Sequence, residues 1–157
     1  MGLPGRFFSS RDLKVINSFN GELMGDVIQT EVLIFKVSAE LTRVNVYGEA
    51  DSTTGIQFYP GKEITALIQR DDISTEHGNF GSTRKQDVVF KFRENMLKEI
   101  DLFPENGDII FFNGRYHEID NVIQEQLLGG QSEKSHSIIC NTHYSKLNKL
   151  NIVARQF

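Results

Sequence analysis

The sequence predicts a mainly β fold: a small antiparallel β-barrel or sandwich with one or two short helices. Three observations predict it. Apolar residues alternate with polar ones at period two through most of the chain, between turn signals spaced at about ten residues. Asn113-Gly114 separates two apolar-aromatic runs, and Asn-Gly in that setting is the strongest short-range hairpin signal. Twelve Phe against no Trp suit pleated, half-buried surfaces. Short strands joined by such turns favour barrels and sandwiches.

The elements follow in order. Residues 1–10 read as a mobile arm, because Gly2, Pro4 and Gly5 disfavour regular structure. Asp12 is placed to cap a short helix whose Leu13, Ile16 and Phe19 share one face, with Asn20-Gly21 ending it. Val27 to Val37, VIQTEVLIFKV, is dense in β-branched residues and predicts a long strand, with a helix possible in its first half. Arg43–Tyr47 alternates as a second strand and 48–55 is a polar loop. Ile56–Tyr59, the turn Pro60-Gly61 and Glu63–Arg70 read as strand, turn, strand, with Ile64, Ala66 and Ile68 on one face. Residues 71–86 read as a long loop, functional or mobile, and Asp87–Phe92 as a strand with Val88, Phe90 and Phe92 together.

There the period changes. Phe92, Met96, Ile100 and Phe103 recur at helical spacing, so 93–102 is a short amphipathic helix stopped by Pro104. Asp108–Phe112 and Arg115–Val122 form the hairpin, with Phe112 facing Arg115 and Phe111 facing Tyr116. Residues 129–135 are a second polar loop and 136–144 the last clear strand. The expected organisation is an arm at 1–10, a single barrel-like domain at 11–145 and a mildly basic tail at 146–157.

Composition narrows the function. The chain has 157 residues, enough for one domain with a sizeable core. Its 39% hydrophobic and 24% charged residues are ordinary for a globular protein. A net charge of -4 argues against a stand-alone DNA-binding module, which wants a basic face. The single cysteine, Cys140, excludes an intrachain disulfide. The N-terminal residues lack the apolar core of a signal peptide, and no apolar run approaches a membrane span, so no membrane partner is expected.

The chemical candidates are few. Cys140-x-x-His143 has a zinc-like spacing, but residues three apart on a strand face opposite ways, and no second ligand pair accompanies it. The expectation is a buried thiol with His117 and His143 as surface imidazoles. Glu118 and Asp120 are two apart and share a strand face, as an acid–base pair requires. A solvated, charged strand face is the favoured reading of them, and Asp71-Asp72 is a similar local pair. Gly78-Asn79-Phe80-Gly81 is no P-loop, because no Gly-Lys-Ser/Thr follows. Phe7-Phe8 beside Arg6 suit docking onto another protein or packing on the chain's own core. The residues therefore predict no catalytic, cofactor-binding or metal-ligating residues, no cofactor and no enzyme activity. A small β-barrel enzyme or ligand-binding domain using His117, Glu118 and His143 is the alternative from another class.

Pro104-Glu105-Asn106-Gly107-Asp108-Ile109-Ile110-Phe111-Phe112, followed by Tyr116-His117-Glu118-Ile119 and Asn121-Val122, resembles the head-completion, or head-closure, neck proteins of T4-like contractile-tailed bacteriophages. Val46-Tyr47-Gly48-Glu49 is similar to an upstream element of that group. Ser137–His143 looks like the closing strand of short virion proteins from marine T4-like phages. The resemblance implies a β-barrel subunit of a hexameric ring in the virion neck, assembled in the host cytoplasm. Its implied partners are copies of itself, portal or adaptor and tail proteins, and the packaged DNA in the channel. A tail-completion or tail-terminator ring is the alternative within this class.

Overall fold

The computed structural model of the chain describes residues 10–28, 30–40, 42, 55–70, 74–78, 81–85, 87–125 and 136–145. Among them, helix α1 (Ser10–Glu22) runs straight into a π-helical segment, Leu23–Ile28. The strands that follow are β1 (Glu31–Phe35), β2 (Lys62–Thr65), β3 (Leu67–Arg70), β4 (Ser74–Gly78), β5 (Gly81–Lys85) and β6 (Asp87–Arg93). Helix α2 (Glu94–Glu99) then leads to β7 (Ile109–Phe112), β8 (Arg115–Glu125) and β9 (Ser137–Ser145).

Seven of these strands form one antiparallel sheet in the order β2-β1-β7-β8-β9-β6-β3. The two strands at its ends are one stretch of chain, separated by Ala66 alone. β2 pairs with β1 (Val32 opposite Ile64) and β3 pairs with β6 (Ile68 opposite Phe90), so this stretch closes the sheet on itself. The Ala66 amide, at the switch between partners, donates to Thr30 O at 2.9 Å. The result is a small barrel, which leaves few strand edges unpaired.

One face of the seven-stranded sheet fills the interior. Val32, Ile34, Ile64, Ala66, Val88, Phe90, Phe92, Ile110, Ile119, Ile138 and Cys140 are buried together, and Leu97 of α2 joins them. Phe90 and Phe92 stack at 6.5 Å, and Phe112 meets Phe90 edge-on at 6.0 Å. Aromatic pairs in these geometries add to the gain from burial itself. Thr142 of β9 is a buried hydroxyl residue beside this layer, and its Oγ1 donates to Val88 O at 2.8 Å.

The hairpin forms as expected. Phe112 pairs with Arg115 and Phe111 with Tyr116. Asn113 (φ 49°) and Gly114 (φ 74°) both take the positive φ of a two-residue primed turn. β6 and β9 also stand close to their expected bounds.

Other expectations are corrected. The helix does not end at Asn20-Gly21, and Asp12 lies inside its first turn rather than capping it. Gly21 lies close under Arg93: a Cβ there would sit 3.1 Å from its Nη2, so the guanidinium would have to shift by a few tenths of an ångström. The long strand at 27–37 shrinks to β1, because 23–28 is helical. Ile56–Tyr59 contributes a single bridge, Phe58 to Val37, and Glu63–Arg70 is broken at Ala66. The expected 71–86 loop contains the ribbon β4–β5, paired from Ser74–Lys85 to Gly78–Gly81. The helix at 93–102 is shorter, ending at Glu99. The expected strand at 43–47, most of the loop that follows it, the 129–135 loop and the 146–157 tail fall outside the described residues, as does residues 1–9 of the arm.

Candidate functional site

The hairpin's approach, Pro104–Asp108, is a closed hydrogen-bonded corner. Asp108 is 1% exposed. Its Oδ1 accepts the Val37 amide at 2.9 Å and its Oδ2 accepts the Glu105 amide at 2.8 Å. Gly107, at φ 91°, turns the chain so that its amide donates to Ile119 O at 2.8 Å, and Ile119 N donates back to Asp108 O at 2.9 Å. Lys36 donates to Phe103 O at 2.8 Å and pairs with Glu105 at 3.3 Å. Burial pushes the Asp108 carboxyl above its usual range, against the lowering pull of the two backbone donors and Lys36. The residues of the Pro-Glu-x-Gly-Asp motif thus tie the end of β1 to the start of β7. Their role here is to build the barrel.

The candidate chemical residues divide between its two faces. Cys140 is fully buried in the interior, and desolvation first, then the Asp108 charge, pushes its thiol up to about 12. His117 is also buried, at 4% exposure, which corrects the expectation of a surface imidazole. It pairs with Tyr144 across the strands, opposite Ile110 on the other side, and its ring lies 5.6 Å from Phe90. Glu118, Asp120 and His143 sit on the outside. Nδ1 of His143 is 2.8 Å from Asp120 and its Nε2 is 3.8 Å from Glu118.

Cys140 and His143 therefore point apart, as their spacing on a strand requires. Glu118 and Asp120 do share a face, despite the register shift between Ile119 and Asn121. His117, Glu118 and His143 do not converge, so the set invoked for a barrel enzyme is not assembled. Asp71-Asp72 lies outside the described residues. A concavity of about 400 Å³ lies elsewhere, between Tyr59–Lys62 and Asp101-Leu102, and includes none of these side chains.

The feature that sequence reading missed is on α1 and its π extension. Val15, Phe19, Leu23 and Val27 are 48%, 68%, 48% and 73% exposed. They recur every four residues and form a continuous apolar row on the outside. An α-helix turns every 3.6 residues, so such a row drifts around it. The wider π segment counters that drift and keeps Val27 in line. The opposite side faces the barrel, where Met24 is buried and Arg93 reaches Asn17 O at 3.5 Å. Arg11, Lys14, Ser18, Glu22 and Asp26, all exposed, run along one flank of the row. The signal was present in the four-residue spacing, but Asn20-Gly21 cut the row in two when read as a helix end.

No family model matches the chain, and no curated protein matches it. Among solved structures, a chain from the virion of a native gene transfer agent particle is similar over 72% of this chain and 90% of its own. The identity is 14% and the TM-score 0.49. A superposition that partial fixes neither family nor role.

Proposed function

We propose that the chain is a non-enzymatic structural subunit of a phage virion, acting in the neck between portal or adaptor and tail. The observation that carries an assembly role is the outward apolar row Val15–Phe19–Leu23–Val27. Large apolar side chains aligned on one surface are costly in water and mark contact sites. The neck placement rests on the resemblance at Pro104–Val122. In this reading the subunit forms a hexameric ring that docks the tail and helps retain DNA. On the same reading the arm and the tail, residues 1–10 and 146–157, contact neighbouring subunits around the domain at 11–145. No helix among the described residues is long and apolar enough to cross a membrane.

Two measurements on phage carrying this gene test the reading. Gold-labelled antibody against the chain should mark the head–tail junction in electron micrographs, and deletion should leave filled heads without tails. Label elsewhere on the particle, or normal tailed particles after deletion, would overturn it. Complete heads with defective tails would favour the tail-terminator alternative.

A further inference from the structure

We infer that the exposed row of α1 is a self-association surface, on which a second copy of this chain lays the same helix antiparallel. The pairing goes beyond the neck reading and stands without it.

Charge complementarity selects this occupant. Along the flank of the row, Arg11 and Lys14 lie at the N-terminal end and Glu22 and Asp26 at the C-terminal end. An antiparallel copy centred on Phe19 sets Phe19 against its own equivalent and Val15 against Leu23. It also brings the flank of one helix alongside the flank of the other, because a two-fold axis between antiparallel helices keeps like flanks on the same side. Arg11 and Lys14 of each copy then face Glu22 and Asp26 of its mate. A parallel copy would put this flank against the other flank of its mate, where Arg11 and Lys14 meet neither Glu22 nor Asp26. Asp12, level with Asp26 of the mate, is the one like-charged contact in this register.

The second argument is the charge order itself. A helix favours acidic residues at its N-terminus and basic ones at its C-terminus. On this flank α1 has the reverse, and its last turn carries no basic residue. An antiparallel mate supplies the missing charges at both ends and opposes the two macrodipoles. The contact is isologous, the same patch on both subunits, so it closes at two copies. It is distinct from the head-to-tail contact that closes a ring.

Single-cysteine cross-linking tests it, since the native Cys140 is buried. Under mild oxidation Phe19→Cys should form a disulfide-linked dimer, while wild type should not. Leu23→Cys alone should link poorly, but should link efficiently when mixed with Val15→Cys. A Phe19→Cys protein that stays unlinked, or Leu23→Cys linking to itself as readily, would overturn the antiparallel register. In a second arm, Glu22→Lys with Asp26→Lys should weaken dimerisation about tenfold at low salt, and mixing with Arg11→Glu, Lys14→Glu protein should restore it. No weakening, or no restoration, would contradict the charge pairing. Failure of both arms beside correct antibody labelling at the neck would remove the pairing and leave the proposed function intact.

Discussion

The hairpin corner and helix α1 solve opposite problems. At the corner the central group turns inward: Asp108 is buried and binds two backbone amides, Gly107 reverses the chain, and the β7–β8 turn uses both positive-φ positions. On α1 the apolar side chains turn outward, and the inward side meets the barrel through Arg93, Asn17 and the space left by Gly21. The first region completes a fold. The second is apolar surface that the fold does not use. Motif similarity falls on the first region, while the physical case for a partner comes from the second.

Substitutions should separate the two regions by their effect on stability. The largest loss is expected inside the barrel. Phe90→Ala removes a fully buried ring that touches Phe92, Phe112 and His117, and should cost about 3–5 kcal/mol in denaturant unfolding. Asp108→Ala orphans the Val37 and Glu105 amides, at about 1–3 kcal/mol each.

The same corner has a pH signature. Because burial raises the Asp108 pKa from 3.8 in the folded state, the stability it contributes is full below pH 3.8 and lost as pH rises through the higher folded value. Asp108→Asn, which does not titrate, should flatten that part of the unfolding free energy against pH. An unchanged slope would show that the carboxylate is not desolvated there.

A smaller loss, about 1–2 kcal/mol, is expected for Gly114→Val, which forces a β-branched residue to a φ of 74°. The smallest is expected on the helix. Phe19→Ser removes a ring that is 68% exposed and should leave monomer stability within about 0.5 kcal/mol while changing association. A loss like that of Phe90→Ala would erase the contrast between the regions.

The barrel was legible where pairing is local. Asn113-Gly114 specified its own turn, and period-two alternation placed Val88, Phe90 and Phe92 inside. Closure was not legible. Ile64, Ala66 and Ile68 keep the same inward alternation across the break at Ala66, so the pattern reads as one strand although the partner changes from β1 to β6. His117 was misplaced because apolar periodicity does not mark a polar residue as internal. Its position follows from the register that sets it opposite Ile110. The α1 row was hidden for two reasons. Asn20-Gly21 imitates a helix end, and the β-branched run from Val27 imitates a strand. Gly21 instead lies within the helix beside the Arg93 guanidinium, and the π segment carries the row onward.

The central claim is that α1 presents an assembly surface separate from the fold. Sedimentation velocity over a concentration series, paired with thermal unfolding of dilute protein, tests it most directly on the Phe19→Ser, Leu23→Ser double variant. The account predicts that wild type self-associates with concentration, while the variant stays monomeric and unfolds at the wild-type midpoint. A variant that associates like wild type, or unfolds many degrees lower, would contradict it.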